Sequence, residues 1–388
     1  AELKEGVNNL AKDSKIEAVM KVVKDYSTVE AKNYDEEKVV QIVNKLLDSV
    51  GANQLKSKKI LLKPNILYSQ LPEKAVTTHP AVLRAAILYF KKRENTVFVG
   101  DSPAFQNQNS AGMRAGLKTV TETLGAHWQD FSKATQVEAP EGKLVKSFML
   151  ADILPQVDAV VSLPKMKTHE LMYYTGAMKN LFGLVPGLSK SAFHLRFPDR
   201  DNFAQMIVDL NLAAKPGFAL MDAIVGMEGP GPGSGAPRQV GLLLASSNVL
   251  ALDVAASTIM GYKPMDIPIL RKAVECGYWL KNTDDITYPF LDAKELIIRD
   301  YRLIRKLKDN SVFRQYMPDF MFRLLKNLTI KKPIFTKKGV LCRECIRICP
   351  AKALTLKDRR IIPDYRKCIR CYCCHEICSK HAIDLRRF

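Results

Sequence analysis

Two hydrophobic patterns alternate along the chain. Val39, Val40, Ile42, Val43, Leu46, Leu47 and Val50 recur at helical spacing over residues 35–50, with Asp35 placed to cap the helix and Gly51 to end it. Short continuous apolar runs, the pattern of strands buried on both faces, occupy Lys59–Leu62, Thr96–Val99, Val157–Leu163, Phe218–Met221 and Val240–Leu244. Helical patterns fill the gaps. One opens at Thr78-His79-Pro80, with Thr78 as cap, and runs to about Lys92; another lies near Ala111–Leu124. Helical material spans Thr175 to about Gly187, and further helices cover Phe203–Ala214 and begin near Asp253. The alternation predicts an α/β domain with a largely parallel sheet covered by helices on both faces.

Four of these apolar runs end in polar clusters rather than plain turns. They are Lys63-Pro64-Asn65, Gly100-Asp101-Ser102-Pro103, Pro164-Lys165-Met166-Lys167-Thr168-His169 and the single Asp222. Ligands of open α/β sheets bind outside the carboxyl ends of the strands. Lys63, Asn65, Asp101, Lys165, Lys167, His169 and Asp222 are therefore expected to converge on one cleft, although each alone reads more readily as an ordinary loop residue than as a functional one. With Lys179 and Asn180 the set is cationic, which suits an anionic small molecule carrying carboxylate or phosphate. His169, His79 and His194 are candidate proton donors or ligands, and Asp101 or Asp222 would orient groups or bind metal. Against this stand solvated lysines and packed histidines. Thr78 and Ser102 are expected to head helices whose N-termini favour anions. Gly226–Arg238 is rich in Gly and Pro and reads as a flap or a connector; its prolines rule out a dinucleotide fingerprint.

Eight of the nine cysteines fall between Cys342 and Cys378. Cys368-x2-Cys371-x2-Cys374-x3-Cys378 is a full bacterial ferredoxin repeat, in which the fourth cysteine ligates the cluster held by the other repeat. This predicts one [4Fe–4S] cluster on Cys368, Cys371, Cys374 and Cys349. The first repeat has Gly339 where a cysteine belongs, leaving Cys342, Cys345 and Cys378. A second cluster there would be [4Fe–4S] with a ligand from elsewhere, [4Fe–4S] with one open iron, or [3Fe–4S], or it is absent. Cys373 is surplus and could substitute. A zinc site would use two Cys-x2-Cys pairs and four ligands, which the ferredoxin order argues against.

The length of 388 residues accommodates a large domain and a small one. The boundaries read as an α/β domain over 1–300, a basic amphipathic connector over 301–335 and a ferredoxin-type iron–sulfur α+β domain over 336–388. Charge follows the same division. Residues 302–388 hold 23 Lys and Arg against 7 Asp and Glu, a balance of +16 out of a total of +19. A basic surface around a cluster favours an acidic electron donor such as ferredoxin or flavodoxin. No nucleic-acid recognition motif accompanies the charge. The connector sets basic residues among Phe313, Tyr316, Met317, Phe320, Phe322 and Leu324; packing on the large domain is favoured over binding a membrane surface. No basic-then-apolar leader is visible at Ala1–Glu5, and thiols spaced for clusters suit a reducing compartment, so a cytoplasmic location is expected.

Lys63-Pro64-Asn65, Thr78-His79-Pro80, Gly100-Asp101-Ser102-Pro103, Pro164-Lys165-Met166-Lys167-Thr168-His169 and Gly176-Ala177-Met178-Lys179-Asn180-Leu181-Phe182-Gly183 resemble the domain of unknown function 362 family. Members often carry C-terminal ferredoxin repeats, and Cys368–Cys374 resembles the second of these. The resemblance spans roughly residues 30–388 and implies an architecture without a reaction; Gly339 departs from the family's usual first repeat. The expectation is an oxidoreductase in which electrons pass from the cysteine module to the cleft. An electron carrier or maturation factor docking on a partner enzyme, and a lyase using an open cluster iron, are the alternatives.

Overall fold

The structure, a computed structural model, describes residues 18–22, 34–103, 107–187, 189–288, 292–304, 331–336 and 342–386. The large domain begins with β1 (Ala18–Val22), α1 (Glu36–Ser49), β2 (Lys59–Pro64), α2 (Pro80–Lys91) and β3 (Thr96–Val99). It continues with α3 (Gln108–Arg114), α4 (Leu117–Thr123), β4 (His127–Trp128), a small hairpin of β5 (Ala134–Glu138) and β6 (Ser147–Ala151), and β7 (Ala159–Leu163). Next come β8 (Lys165–His169), β9 (Tyr173–Thr175), α5 (Ala177–Asn180), α6 (Ser189–Arg196) and α7 (Arg200–Ala214). The long strands β10 (Phe218–Glu228) and β11 (Ala236–Ser246) precede α8 (Val249–Ile259) and α9 (Pro268–Cys276).

The main sheet has the order β1-β11-β10-β7-β2-β3-β4, and β8 adds to β10 and turns back as β9. Strands from β10 to β4 run parallel, whereas β11 and β1 form an antiparallel edge. Side chains alternate across the sheet. Ile60 and Leu62 of β2 join the core beneath α1 and α2, while Leu61 joins the opposite core with Phe182, Phe203 and Val249. This is the expected α/β sheet covered on two faces.

Several local expectations hold and several are corrected. Asp35 caps α1 by accepting from Lys38 N, and Val39, Val43, Leu46 and Leu47 are its buried face. The cap of α2 is His79 rather than Thr78: His79 Nδ1 accepts from Ala81 N. Thr78 instead ties two strand ends together, donating to Leu163 O at 2.6 Å and accepting from Asn65 N at 2.8 Å. The helix expected over Ala111–Leu124 is two short ones, broken where Gly116 adopts φ +73°. Ser102 heads no helix; α3 is capped by Asn107. Lys165–His169 is a buried strand, not a loop, and forms a hairpin with β9 before the helical segment. Asp222 does not end its strand; β10 passes through it to Glu228. The flap or connector expected at Gly226–Arg238 is the tip of the β10–β11 hairpin. Asp253 lies inside α8, whose start is capped by Asn248.

The C-terminal module contains β12 (Lys332–Phe335), α10 (Glu344–Ile348), β13 (Leu354–Lys357), β14 (Arg360–Pro363), α11 (Cys373–Ile377) and β15 (Ile383–Arg386). β12 pairs with β15 and β13 with β14, both antiparallel, so residues 332–335 belong to this module rather than to the connector. Its two halves repeat one conformation. Arg343 and Tyr372 precede the two helices with φ 60° and 61°, and Lys352 and His381 follow them with φ 48° and 49°. The aromatic connector residues singled out above, and Gly339, lie outside the described residues.

The module is seated on the large domain. Tyr372 is buried in the main core and donates to Lys331 O, while Lys331 Nζ pairs with Glu170 at 3.0 Å. At the β10–β11 tip, a Cβ on Gly233 would stand 2.8 Å from both Glu376 O and the Tyr68 ring, so only glycine permits this approach.

Candidate active site

Two buried lysine–carboxylate pairs frame the sheet. Lys63 Nζ lies 2.7 Å from Asp101 Oδ1 and 3.4 Å from Asn180 Oδ1. Asp101 also accepts from Ile66 N and Ser102 N, which satisfies the carboxylate fully. Gly183 makes the pair possible, since a Cβ there would collide with Asp101 Oδ1 and stand 2.5 Å from Lys63 Nζ. Gly176 is confined in the same way by Tyr174 and Asp253. Asp253 accepts from Ala177 N, Met178 N and Tyr174 OH and so fixes the start of α5; burial pushes its carboxyl up to about 7.

The second pair is Lys165–Asp222, at 2.8 Å. Tyr34 OH bridges it, and Asp222 also accepts from His79 N. The His79 ring stacks on Tyr34 with centroids 3.4 Å apart. Burial lowers His79 to about 3, so the ring is neutral, with Nδ1 spent on its helix cap. Tyr34 packs in the core beneath α1 and α2, with Leu220 and Ile224 of β10.

Between the α/β domain and the module lies a cavity of about 90 Å³. Its cations come from the large domain as Lys167, Lys179 and Lys190; Cys373 and Glu376 come from the module. Lys167 Nζ donates to Asn65 Oδ1 at 2.6 Å and Val76 O at 2.9 Å, and Lys190 Nζ donates to Ser102 O and Val185 O. Burial, with the neighbouring lysine charges, pulls both amines down to about 7. Half-buried Lys179 makes no hydrogen bond or ion pair among the described residues. Burial lowers its amine too, with Glu376 and Cys373 pulling back.

His169 is fully buried and held well below its ordinary value by burial and by Lys179 and Lys167. Its Nδ1 accepts from Leu171 N and Met172 N, so the neutral ring carries its proton on Nε2. That nitrogen stands 3.3 Å from Glu376 Oε1 without hydrogen-bond alignment, and neither atom has a hydrogen-bond partner. Burial raises the Glu376 carboxyl, opposed by Lys179 and Lys167. His194 also lines the cavity, stacked on Phe203 and lowered by burial to about 3.

The thiols of the module gather around Cys374 and around Cys345, which borders both groups. Burial holds Cys374 well above its ordinary value, and Cys371, Cys368, Cys345 and Cys349 add to the effect. Cys368 is raised by burial and by Cys371 and Cys349. Cys345 is raised to about 11 by burial and by Cys342 and Cys378. Ala353 N donates to Cys349 Sγ and Ala382 N to Cys378 Sγ, both at 3.3 Å. Cys373 stands apart from Cys342, Cys345 and Cys378: hydrogen-bonded to Cys371 and buried, it faces the cavity. Among the described residues no three His, Cys, Asp or Glu side chains converge on a single metal ion.

Residues 60–258 match the family model described as Domain of unknown function (DUF362). A thylakoid-associated protein of Synechocystis sp. is 30% identical over 286 residues, covering 73% of this chain and 88% of that protein. The chain belongs to the DUF362 family. A solved structure, the lactate racemase apoprotein from Thermoanaerobacterium thermosaccharolyticum, is similar at 14% identity with a TM-score of 0.38. That similarity covers 58% of this chain and 55% of the other. No helix among the described residues is long and apolar enough to cross a membrane.

In this DUF362 chain the motif residues divide between the two groups. Asn65, Asp101, Lys167, His169, Lys179 and Asn180 line the cavity, and Lys63 lies directly behind it, bonded to Asp101 and Asn180. Lys165, Asp222 and His79 do not line it, contrary to the expected single cleft. Asp222 points with Leu220 and Ile224 toward the core beneath α1 and α2, where it holds Lys165 Nζ and His79 N; Lys165 shares a face of β8 with Lys167 and His169 but only the latter two reach the cavity. Sequence reasoning missed Lys190 and Glu376. Glu376 had one signal, as the sole acidic residue between Cys368 and Cys378.

Proposed function

We propose that the protein is an iron–sulfur oxidoreductase in which a ferredoxin-type module passes electrons to an anionic substrate held where the module meets the α/β domain. The observation that carries this reading is the shared cavity: Lys167, Lys179 and His169 form one side, and Cys373, Glu376 and Ile377, from within the second cysteine repeat, form the other. A carrier that only docked on partners would gain nothing from closing its cysteine helix over a buried cationic pocket.

The closeness of Cys374 to Cys371, Cys368 and Cys349 supports the first of the groups proposed here. Cys349, Cys368, Cys371 and Cys374 would hold one [4Fe–4S] cluster, and Cys342, Cys345 and Cys378 a second, of [4Fe–4S] or [3Fe–4S] type. The N–H groups aimed at Cys349 and Cys378 are hydrogen bonds of the kind that tune cluster potentials. Cluster thiolates stand around an iron–sulfur core rather than around one ion, so single-ion convergence is not the relevant geometry. When bound, the clusters supply one-electron transfer.

The remaining work falls to the chain's own groups. Lys179, with Lys167 beside it, holds the anion. His169 offers its Nε2 proton to the bound molecule, with its ring fixed by the two backbone donors on Nδ1. Asp101 holds Lys63 and the loop at Ile66 in place. Phe182, Ile348 and Ile377 limit water. The basic module suits an acidic electron donor such as ferredoxin or flavodoxin.

The test uses anaerobically prepared protein, with iron and sulfide analysis and electron paramagnetic resonance after reduction. Cys349→Ala and Cys371→Ala should remove the same signal. Bound zinc in place of iron, or two mutations that affect different clusters, would overturn the assignment.

A further inference from the structure

We infer that the cavity is a receptor for a small anion, a carboxylate of only a few heavy atoms, and that this anion takes the place of the Glu376 carboxylate as the counter-charge of Lys167 and Lys179. The inference deepens the reading of the cleft as an anion site and is independent of whether the module carries clusters.

Size sets the class. A water needs roughly 10–15 Å³ of such space, so about 90 Å³ suits a group of on the order of half a dozen heavy atoms. Charge sets the sign. Of the two carboxylates lining the cavity, Asp101 is committed to Lys63, Ile66 N and Ser102 N. Glu376 alone is left to face Lys167 and Lys179. Its contact is poorly made: Oε1 has no hydrogen-bond partner, and neither does the His169 Nε2 that it faces at 3.3 Å. A buried donor and acceptor left unpaired cost free energy that a well-fitted ligand recovers.

Glu376 is also not demanded by the cysteine framework. The equivalent position in the first half of the module is Arg347, set between Cys345 and Cys349 as Glu376 is between Cys374 and Cys378. The carboxylate therefore belongs to the cleft rather than to the repeat. Since Glu376 is on α11, the ligand that displaces it moves a side chain rooted between Cys374 and Cys378.

The experiment is a nuclear magnetic resonance titration of the intact protein with 13C-acetate, with acetamide as the neutral control and AMP as the oversized anion. Acetate should bind, acetamide and AMP should not compete with it, and Glu376→Gln should tighten acetate about tenfold, corresponding to loss of ~1.4 kcal/mol of competition. Lys179→Gln should weaken acetate by about the same factor. Unchanged or weaker acetate binding in Glu376→Gln overturns the displacement, and competition by acetamide overturns the anion receptor. Should Glu376→Gln misfold, Glu376→Asp decides the point: its shorter arm should also tighten acetate, and unchanged affinity overturns the proposal. Acetate binding reports on the cleft whether or not iron is present, so failure here is distinct from failure of the redox assignment.

Discussion

Lys63 and Lys165 are as deeply buried as Lys167, yet the two groups are built differently. Lys63 and Lys165 each sit within 2.8 Å of an aspartate that is further held by backbone N–H groups. Lys167 and Lys190 have neutral oxygen acceptors instead, and Lys179 has no hydrogen-bond partner among the described residues. Four of these five lysines fall in the motifs that mark the family, so identity alone does not sort them. The partner does. A lysine with a buried carboxylate is part of the framework, and one without keeps charge available for something else.

The comparison breaks most visibly if the framework pair is cut. Lys63→Met leaves Asp101 buried and uncompensated, which should lower unfolding free energy by about 3–5 kcal/mol in urea titrations. Lys63→Met with Asp101→Asn should recover much of that loss; a single mutant costing under ~1 kcal/mol would mean that the pair is not structural. Gly183→Ala presses a methyl onto the same pair, and about 1–3 kcal/mol is expected from overpacking. Lys179→Met should change stability by no more than about 1 kcal/mol, because no hydrogen bond is lost and Glu376 keeps Lys167 as a facing cation.

A pH effect separates the two groups further. Lys167 titrates near 7 folded and 10.5 unfolded, so between those values the unfolded chain binds the extra proton. Its contribution therefore makes stability rise with pH from about 7 to 10.5 and stay flat below 7. Lys167→Met should reduce that rise relative to the parent protein, and an identical pH profile would show that Lys167 is not held near 7.

The sheet was legible where local and tertiary signals agree. α1 carries an amphipathic face, a cap and a terminating glycine within its own residues, and it forms as read. β10 was cut short because Asp222 looks like a terminator, yet its charge is answered by Lys165 from a different strand. Lys165–His169 reads as a loop for the same reason: four polar side chains in five residues are tolerated in a buried strand only because distant groups satisfy them. The division of the motifs between the Asp222 pair and the cavity needed the tertiary partners of Lys165, and Glu376 needed the docking of one module on another. Neither is a property of a sequence window.

The position of Glu376 and Cys373 also bears on how the molecule is made. The floor of the cavity is supplied by residues up to Pro232, whereas its ceiling, Ile348 to Ile377, is translated last. Domains generally form in the order of synthesis, so the cationic floor exists before anything covers it. Cys373 is buried against the cavity, beside Cys374 in the module's own core with Leu354 and Ile383. A cluster of the kind proposed above would then be loaded while the ceiling is still raised, with closure following. Maturation of such a centre and completion of the binding site would, on this geometry, be one event.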